Sequence, residues 1–280
     1  MPEGNTIHRL ARAHNRDLAG RRIAVSAAQK RFAREARALD GRVFEGAEAH
    51  GKHLFHHWRG GPIVHIHLGM FGDFYRRDAP PPPLRPTVRL RLATRAAAWD
   101  LIGPPTCEIV TVEERAAILA RLGPDPLSAR PDARRALGRL RLTDAPIAHA
   151  LLDQRIVSGI GNIYRAEALF VNGIHPLRPA SSLTTEELER LWTSVRRLLR
   201  RGVAQERIST IAPADRALLA RGRGRRSFYV YQAEVCLRCG SRVRSFPLSG
   251  RKMYACETCQ PPSGNPATRR KPAGRIQERR

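Results

Sequence analysis

The feature that most constrains the fold of this 280-residue chain is a set of four paired cysteines near its C-terminus. Cys236 and Cys239 form one C-x2-C pair, sixteen residues follow, and Cys256 and Cys259 form the second pair. Each pair presents two thiolates at a corner of a tetrahedron, and a hairpin of this length brings the corners together. The spacing predicts one structural Zn2+ ion, with two disulfides or a redox pair as the alternatives. The fifth cysteine, Cys107, is expected to be a small buried apolar side chain.

The charge balance indicates the class of partner. Lysine and arginine number 50 against 25 aspartates and glutamates, which gives a formal net charge of +25. Hydrophobic residues make up 42% of the chain, enough for ordinary cores. A folded chain with this excess favours a polyanion, because neutralising phosphates releases condensed counterions. No apolar run approaches the roughly 18 residues of a membrane span, and no signal peptide is evident, so we expect a soluble cytoplasmic protein and no membrane partner.

The spacing of apolar residues divides the chain into a mixed first part and a helical second part. It predicts a helix over residues 6–18 and short antiparallel strands, in a sandwich or barrel, over 22–112. Helices are predicted over 145–154 and 162–170. Another is expected to begin at a capping box, Thr184-Thr-Glu-Glu187.

Residue composition distinguishes three further segments of the chain. The proline run at 80–83 predicts an exposed loop between two strands. A basic stretch at 221–226 leads into the cysteine module. Residues 241–252 carry four cations and no acid, which fits either a phosphate contact or ordinary solvated surface.

A glycine-rich turn precedes the helix predicted at 162–170. In Gly159-Ile-Gly161-Asn162 the glycines allow a tight reversal, and Asn162 stands where the helix begins. Its side chain and the free backbone N–H groups there are suited to a phosphate. The alternative is a helix hairpin that needs only a turn.

The N-terminus carries a candidate nucleophile. Once Met1 is removed, the secondary amine of Pro2 is able to form a cationic imine with an aldehyde carbon. A helix start close behind it favours the neutral amine, and Glu3 is placed to act as general acid or base. The alternative is that both are ordinary helix-start residues.

Five motifs in order resemble the formamidopyrimidine-DNA glycosylase/endonuclease VIII family over residues 2 to about 260. They are Pro2-Glu3-Gly4, Gly51-Lys52-His53-Leu54, His67-Leu-Gly-Met-Phe-Gly72, Gly159 to Tyr164, and the four-cysteine finger. The resemblance is closest to the actinobacterial endonuclease VIII branch, through Met-Pro-Glu-Gly-x-Thr-x-His-Arg and Gly123-Pro-Asp-Pro-Leu127.

The resemblance implies an α+β fold in four parts. An N-terminal helix and an antiparallel β-sandwich form a catalytic domain over 2–122, and a helix-two-turn-helix domain covers 123–225. A β-hairpin zinc finger follows over 226–260. Residues 261–280, which are rich in Pro, Gly and Arg, form a disordered basic tail.

The implied function is that of a bifunctional DNA glycosylase and abasic-site lyase. Pro2 attacks C1′ of the damaged nucleotide, Glu3 transfers protons, and β,δ-elimination cuts the strand. The partner is damaged, double-stranded DNA, bound by a monomer in the bacterial nucleoid.

The resemblance also assigns DNA contacts. Lys52 and Arg251 contact phosphates at the lesion as part of the catalytic set, and Asn162 makes a further phosphate contact. Met70 and Phe71 fill the gap left by the flipped nucleotide. Without the resemblance, Lys52 reads as a solvated cation and the apolar pair as core.

Two departures from the formamidopyrimidine branch bear on the substrate. That branch carries a second glutamate where this chain has Asn5-Thr6, and an Arg-Phe pair that residues 99–104 lack. These differences favour oxidised pyrimidines, such as thymine glycol and dihydrouracil, over 8-oxoguanine. Residues 205–230, where the family's base-recognition elements lie, do not specify the lesion.

Two functions from other classes also fit part of the sequence. A non-catalytic zinc-finger protein that binds damaged DNA accounts for the basic finger and the helix turn. An RNA-associated zinc-ribbon protein accounts for charge and cysteines but leaves the N-terminal motif unexplained.

Overall fold

The computed structural model describes residues 2–219 and 226–262. Two antiparallel four-stranded sheets come first, and a group of helices and a two-stranded hairpin follow. The helices are α1 (Gly4–Leu18), α2 (Ala33–Leu39), α3 (Val112–Ala120), α4 (Ala133–Arg141), α5 (Ile147–Ala150), α6 (Asn162–Asn172) and α7 (Thr185–Ala204). The strands are β1 (Ala24–Ser26), β2 (Phe44–His50), β3 (His53–Trp58), β4 (Ile63–His67), β5 (Asp73–Asp78), β6 (Val88–Ala93), β7 (Ala97–Ile102), β8 (Thr106–Val110), β9 (Arg244–Leu248) and β10 (Arg251–Ala255).

The two sheets form a sandwich with one shared core. Their strand orders are β1-β6-β7-β5 and β2-β3-β4-β8. Alternating side chains turn one apolar face of each sheet inward, and Leu54, Ile66 and Leu92 are fully buried between them. Helix α1 adds Ile7 and Leu10 to the same core. The α+β class and the antiparallel sandwich predicted from the sequence are confirmed.

Helix α7 organises the second half of the molecule. Its capping box is formed as predicted: the Thr184 hydroxyl accepts the Glu187 N–H at 3.2 Å, and the Glu187 carboxylate accepts the Thr184 N–H at 2.9 Å. An apolar stripe packs against α6 and α4 in a second core and comprises Leu188, Leu191, Trp192, Val195, Leu198 and Leu199. Helix α6 is buried along most of its length.

The C-terminal hairpin of β9 and β10 is attached to the helices. Met253 of β10 lies in the second core, and Cys236 and Cys256 share a smaller cluster with Phe170 of α6. The Gln260 amide accepts the Cys256 N–H at 3.1 Å and donates to the Ile174 carbonyl at 2.8 Å. The hairpin is therefore fixed beside the end of α6.

Two local predictions were wrong. The helix expected over 145–154 is limited to α5, because the Gln154 side chain bonds the Leu152 and Ile160 carbonyls and the Gly159 N–H, which builds a turn. Helix α2 lies within 22–112, where only strands were expected. It buries Ala36 and Leu39 in the sandwich core.

The remaining segments fall as follows. The proline run at 80–83 joins β5 to β6 as a mostly exposed loop, as predicted. Residues 221–225 of the basic stretch and 263–280 of the predicted tail lie outside the described residues, and the domain boundaries stay predictions.

Within residues 2–219 and 226–262, no helix has the length and apolar character needed to cross a bilayer.

Candidate active site

Three glycines from distant parts of the chain meet where the sandwich contacts the helices. Gly4 begins α1, Gly51 turns β2 into β3, and Gly159 precedes α6. The Gly4 N–H donates to the Gly159 carbonyl at 2.8 Å. A Cβ on Gly4 would lie 3.0 Å from the Gly159 Cα, and one on Gly159 would lie 3.3 Å from the Gly51 Cα. Because glycine permits this approach, the site residues beside these three positions are held close together.

Glu3 binds the N-terminus of α6. Its side chain is fully buried, and its carboxylate accepts the N–H groups of Gly161 at 2.7 Å and Ile163 at 2.8 Å. A longer contact of 3.4 Å joins it to the Tyr164 N–H. The first N–H groups of a helix have no partner within it and attract an anion. The sequence left open whether these N–H groups hold a phosphate or belong only to a turn between helices; the structure shows that Glu3 occupies them.

Glu3 and Lys52 perturb each other's protonation. Burial raises the pKa of the Glu3 carboxyl above its usual range, opposed by the Lys52 charge and the α6 N–H groups. Burial also lowers the pKa of Lys52 to about 8; Glu3 opposes this shift, while Arg251 and Arg165 add to it. A carboxyl with a raised pKa beside an amine with a lowered one is suited to proton transfer near neutral pH.

Asn162 ties the finger to α6. Its amide donates to the Lys252 carbonyl of β10 at 3.0 Å and accepts a hydrogen bond from Arg165 at 2.6 Å. Arg165 is fully buried, and burial followed by the neighbouring Arg251 charge lowers its pKa to about 10. Residues of the N-terminal segment, the β2–β3 turn, α6 and the finger therefore meet in one charged cluster.

Asp125 holds the turn that carries Lys52. One carboxylate oxygen accepts the Gly51 N–H at 2.8 Å and contacts the His8 ring at 2.7 Å. The other accepts the Leu127 N–H at 2.7 Å. Burial opposes ionisation, but His8 and these N–H groups hold the pKa of Asp125 below its usual range. Asp125 had no role predicted from the sequence, where the feature that could have identified it is a lone acid between two prolines.

Arg165 was also missed by sequence analysis. The feature of the sequence that could have identified it is a single cation inside the apolar run of α6. A charge buried there needs partners. The partners are the Asn162 side chain and, at 3.3 Å, the Ala148 carbonyl of α5. No motif in the sequence links these positions.

Pro2 lies on the wall of an open cleft of about 360 Å³. The cleft is lined by Pro2, Thr6, Arg9, Met70, Phe71, Gly72, Asp73, Tyr75 and Ile208. Met70 is 53% exposed and Phe71 is 84% exposed, so neither packs in the core. Their loop is closed by the Gly72 N–H on the Leu68 carbonyl at 2.8 Å.

The four paired cysteines form one cluster. Their sulfur atoms all lie within 4.8 Å of one another, with Cys236 and Cys259 3.9 Å apart and Cys239 and Cys256 3.4 Å apart. These distances exceed the roughly 2.05 Å of a disulfide and are near the ~3.8 Å between sulfurs around a tetrahedral zinc ion. The cluster is suited to a metal. Cys107 lies instead in the sandwich core, where burial raises the pKa of its thiol to about 12.

Comparison with known proteins finds two family models along the chain. The formamidopyrimidine-DNA glycosylase N-terminal domain matches residues 1–102, and the H2TH domain of the same glycosylase matches residues 122–213. The chain is 40% identical over 267 residues to endonuclease 8 1 of Mycobacterium tuberculosis, covering 93% of this chain and 100% of that protein. It is 34% identical over 288 residues to the probable endonuclease 8 2 of Streptomyces coelicolor, covering 99% and 98%.

Solved structures show the same fold. The Lactococcus lactis Fpg (MutM) protein, in complex with DNA containing N7-benzyl-Fapy-dG, matches with a TM-score of 0.77 at 21% identity over 93% of this chain and 100% of that one. The same protein in complex with DNA containing an abasic site matches with a TM-score of 0.76 at 21% identity, over 92% and 99%.

Proposed function

The chain belongs to the formamidopyrimidine-DNA glycosylase/endonuclease VIII family of DNA repair glycosylases and abasic-site lyases, and on that premise we propose that it excises oxidised bases through a covalent imine at Pro2. The observation that carries the proposal is the position of Pro2. It lies on the wall of an open cleft, next in sequence to a buried glutamate whose pKa is raised.

In the first stage of the reaction the Pro2 amine replaces the damaged base at C1′. The neutral Pro2 nitrogen attacks C1′ of the damaged nucleotide, the N-glycosidic bond breaks, and the base leaves with its electron pair and takes up the proton that the Pro2 nitrogen gives up. Glu3, whose pKa is raised by burial, gives a proton to the sugar ring oxygen, and the C1′–O4′ bond opens. The amine electron pair then forms the cationic imine.

The imine drives strand cleavage. It acidifies the C2′ proton, whose removal expels the 3′-phosphate by β-elimination. Loss of a further proton expels the 5′-phosphate by δ-elimination. Water hydrolyses the imine, releases the unsaturated aldehyde and regenerates the Pro2 amine.

The charged cluster is placed to hold the phosphates around the lesion. Burial lowers the pKa of Lys52 and of Arg165, and the neighbouring Arg251 charge lowers both further, which is the behaviour of a site that gains stability when an anion arrives. The Asn162 side chain lies at this cluster, where it donates to the Lys252 carbonyl and is also in hydrogen-bond contact with Tyr231. We assign Lys52, Asn162 and Arg251 to the DNA backbone.

Met70 and Phe71 are assigned to the gap in the duplex. A flipped nucleotide leaves unstacked neighbours, and apolar side chains inserted between bases replace part of that stacking. Both side chains are exposed on a closed loop at the cleft that contains Pro2, which supports this role.

The substrate, partner and metal assignments are finer proposals. We propose a preference for oxidised pyrimidines, because the chain lacks the second glutamate and the Arg-Phe pair of the formamidopyrimidine branch. We also propose that a monomer acts on double-stranded DNA in the bacterial nucleoid. Zn2+ is the proposed metal, since four thiolates at these separations suit its tetrahedral coordination.

Borohydride trapping tests the proposal. Reduction of the imine in the presence of abasic-site DNA should yield a stable protein–DNA complex with the wild-type chain, and intact mass should show that Met1 has been removed. Pro2→Thr replaces the secondary amine and should lower trapping at least 100-fold. Pro83→Thr, in the proline-rich loop, should trap as the wild type does. A wild-type protein that never cross-links would overturn the assignment.

A further inference from the structure

The proposed reaction determines where the damaged base must lie. Reacting atoms approach to about 3–3.5 Å before bond formation, so C1′ must come this close to the Pro2 nitrogen. The base is bonded directly to C1′ and therefore occupies space immediately beside Pro2. The cleft lined by Pro2 supplies that space.

Polar groups converge on this cleft without partners. Among residues 2–219 and 226–262, the Arg9 guanidinium, the Thr6 hydroxyl and the Tyr75 hydroxyl make no hydrogen bond or ion pair. Asp73 uses one carboxylate oxygen on the Phe74 N–H at 2.8 Å and leaves the other available. The cleft therefore combines donors with an acceptor, as a site that reads a polar ligand requires.

Tyr75 is the tyrosine in the wall of the same cleft. The residue is 43% exposed, and the Arg77 guanidinium lies 5.5 Å from the ring centroid. Arg77 is itself 3.5 Å from the Asp100 carboxylate of β7, which holds the cation in place. A ring covered on one side by a fixed cation retains its other face for stacking on a base.

We propose that Arg9 and Tyr75 determine the specificity of base excision, an inference that rests on the proposed function. Arg9 donates to a carbonyl oxygen of the flipped base, Asp73 accepts a ring N–H with its available oxygen, and Tyr75 flanks the ring. Oxidised uracil and thymine derivatives carry two carbonyls on either side of N3–H, which supplies an acceptor for Arg9 and a donor for Asp73. A base without the carbonyl leaves the guanidinium unpaired and is rejected.

Two DNA substrates distinguish recognition of the damaged base from binding of the surrounding DNA. A duplex containing dihydrouracil has a base to recognise, whereas a duplex with a preformed abasic site has none. Arg9→Met should lower kcat/KM for dihydrouracil excision at least 10-fold and change cleavage of the abasic site by less than 2-fold. Tyr75→Leu should show the same split. Arg12→Met, which removes an exposed cation from the same helix, should change neither rate.

The outcomes distinguish this inference from the function it rests on. Equal losses on both substrates would make Arg9 a general DNA contact, and no loss on either would mean that the base lies elsewhere; both overturn the inference. If the wild-type chain fails to trap abasic-site DNA, the proposed function fails first. Abasic-site cleavage by each variant also reports whether that variant is folded.

Discussion

The position of the Glu3 side chain depends on backbone N–H groups that lie 158 or more residues later in the chain. Its carboxylate is bound at the start of α6, and no side chain at Gly161 intervenes. A Cβ on Gly161 would lie 2.3 Å from the Glu3 Cδ, which no real contact allows. The backbone of Gly161 has a negative φ, so glycine is required here for space rather than for conformation. One missing methyl group thus lets the proposed acid reach its site.

Gly161→Ala should therefore displace Glu3. We expect the excision rate to fall about 100-fold or more, because misplacing a reacting group by about 1 Å has this effect, and stability to fall by about 1–3 kcal/mol through overpacking. Single-turnover excision and urea unfolding measure the two effects. The matched control is Gly138→Ala in α4, where a Cβ meets nothing within 4 Å. It should gain about 0.5–1 kcal/mol and keep full activity. A wild-type rate for Gly161→Ala would contradict this account of Glu3.

At the scale of elements, the hairpin of β9 and β10 is stable only through its attachments. An isolated two-stranded hairpin is marginal in water. This one is held by the cysteine cluster at its base, by Met253 in the helical core, and by the Asn162 amide on the Lys252 carbonyl. The same attachments bring Arg251 into the charged cluster. The sandwich core contains no residue of the hairpin, so the two parts should respond differently when the metal is removed.

Removing the metal should weaken DNA binding more than it disturbs the sandwich. Cys256→Ser should abolish binding of the proposed Zn2+, because three thiolates bind it far less tightly than four. Affinity for abasic-site DNA should fall at least 10-fold, measured by fluorescence anisotropy. The environment of Trp58 and Trp99 in the sandwich should stay unchanged. Cys107→Ala, outside the cluster, should retain one zinc ion per chain. Equal unfolding of both parts would contradict the prediction.

At the scale of the whole molecule, the sandwich core contains a pair of neutral histidines. The His14 Nδ1 and His56 Nε2 atoms are 3.0 Å apart, and both side chains are fully buried. Phe74 and Trp99 pack edge-on against His14. Burial lowers the pKa of His14 to about 3 and holds that of His56 well below its usual range. The unfolded chain therefore binds more protons than the folded one below about pH 6.5, and stability must fall as the pH falls.

The pair should contribute strongly to the acid sensitivity of the fold, alongside His53, whose pKa burial also lowers to about 3. Between pH 7.5 and 5.0 each buried imidazole should cost about 2 kcal/mol of unfolding free energy, or roughly 4 kcal/mol for the two. The double substitution His14→Leu/His56→Leu removes both polar partners together and should be nearly neutral at pH 7.5 while reducing that loss. Urea unfolding at the two pH values measures the difference. His149→Gln, at an exposed position, should leave the pH dependence unchanged. An unaltered loss in the double variant would contradict the assignment.

The sequence alone determined the features that depend on neighbours in the chain. Cysteine spacing predicted the cluster, the Thr184 capping box predicted the start of α7, and ordered motifs identified the family, because each is a local pattern. Tertiary structure decided what Glu3 binds, which residue holds the Lys52 turn, and that a cation, Arg165, lies buried beside Asn162. These contacts join segments whose approach depends on how the sandwich packs against the helices. The net charge of +25 indicated a polyanion and the ordered motifs selected Lys52 and Arg251, but only packing showed that Lys52 lies beside Glu3 and added Arg165 to the cluster.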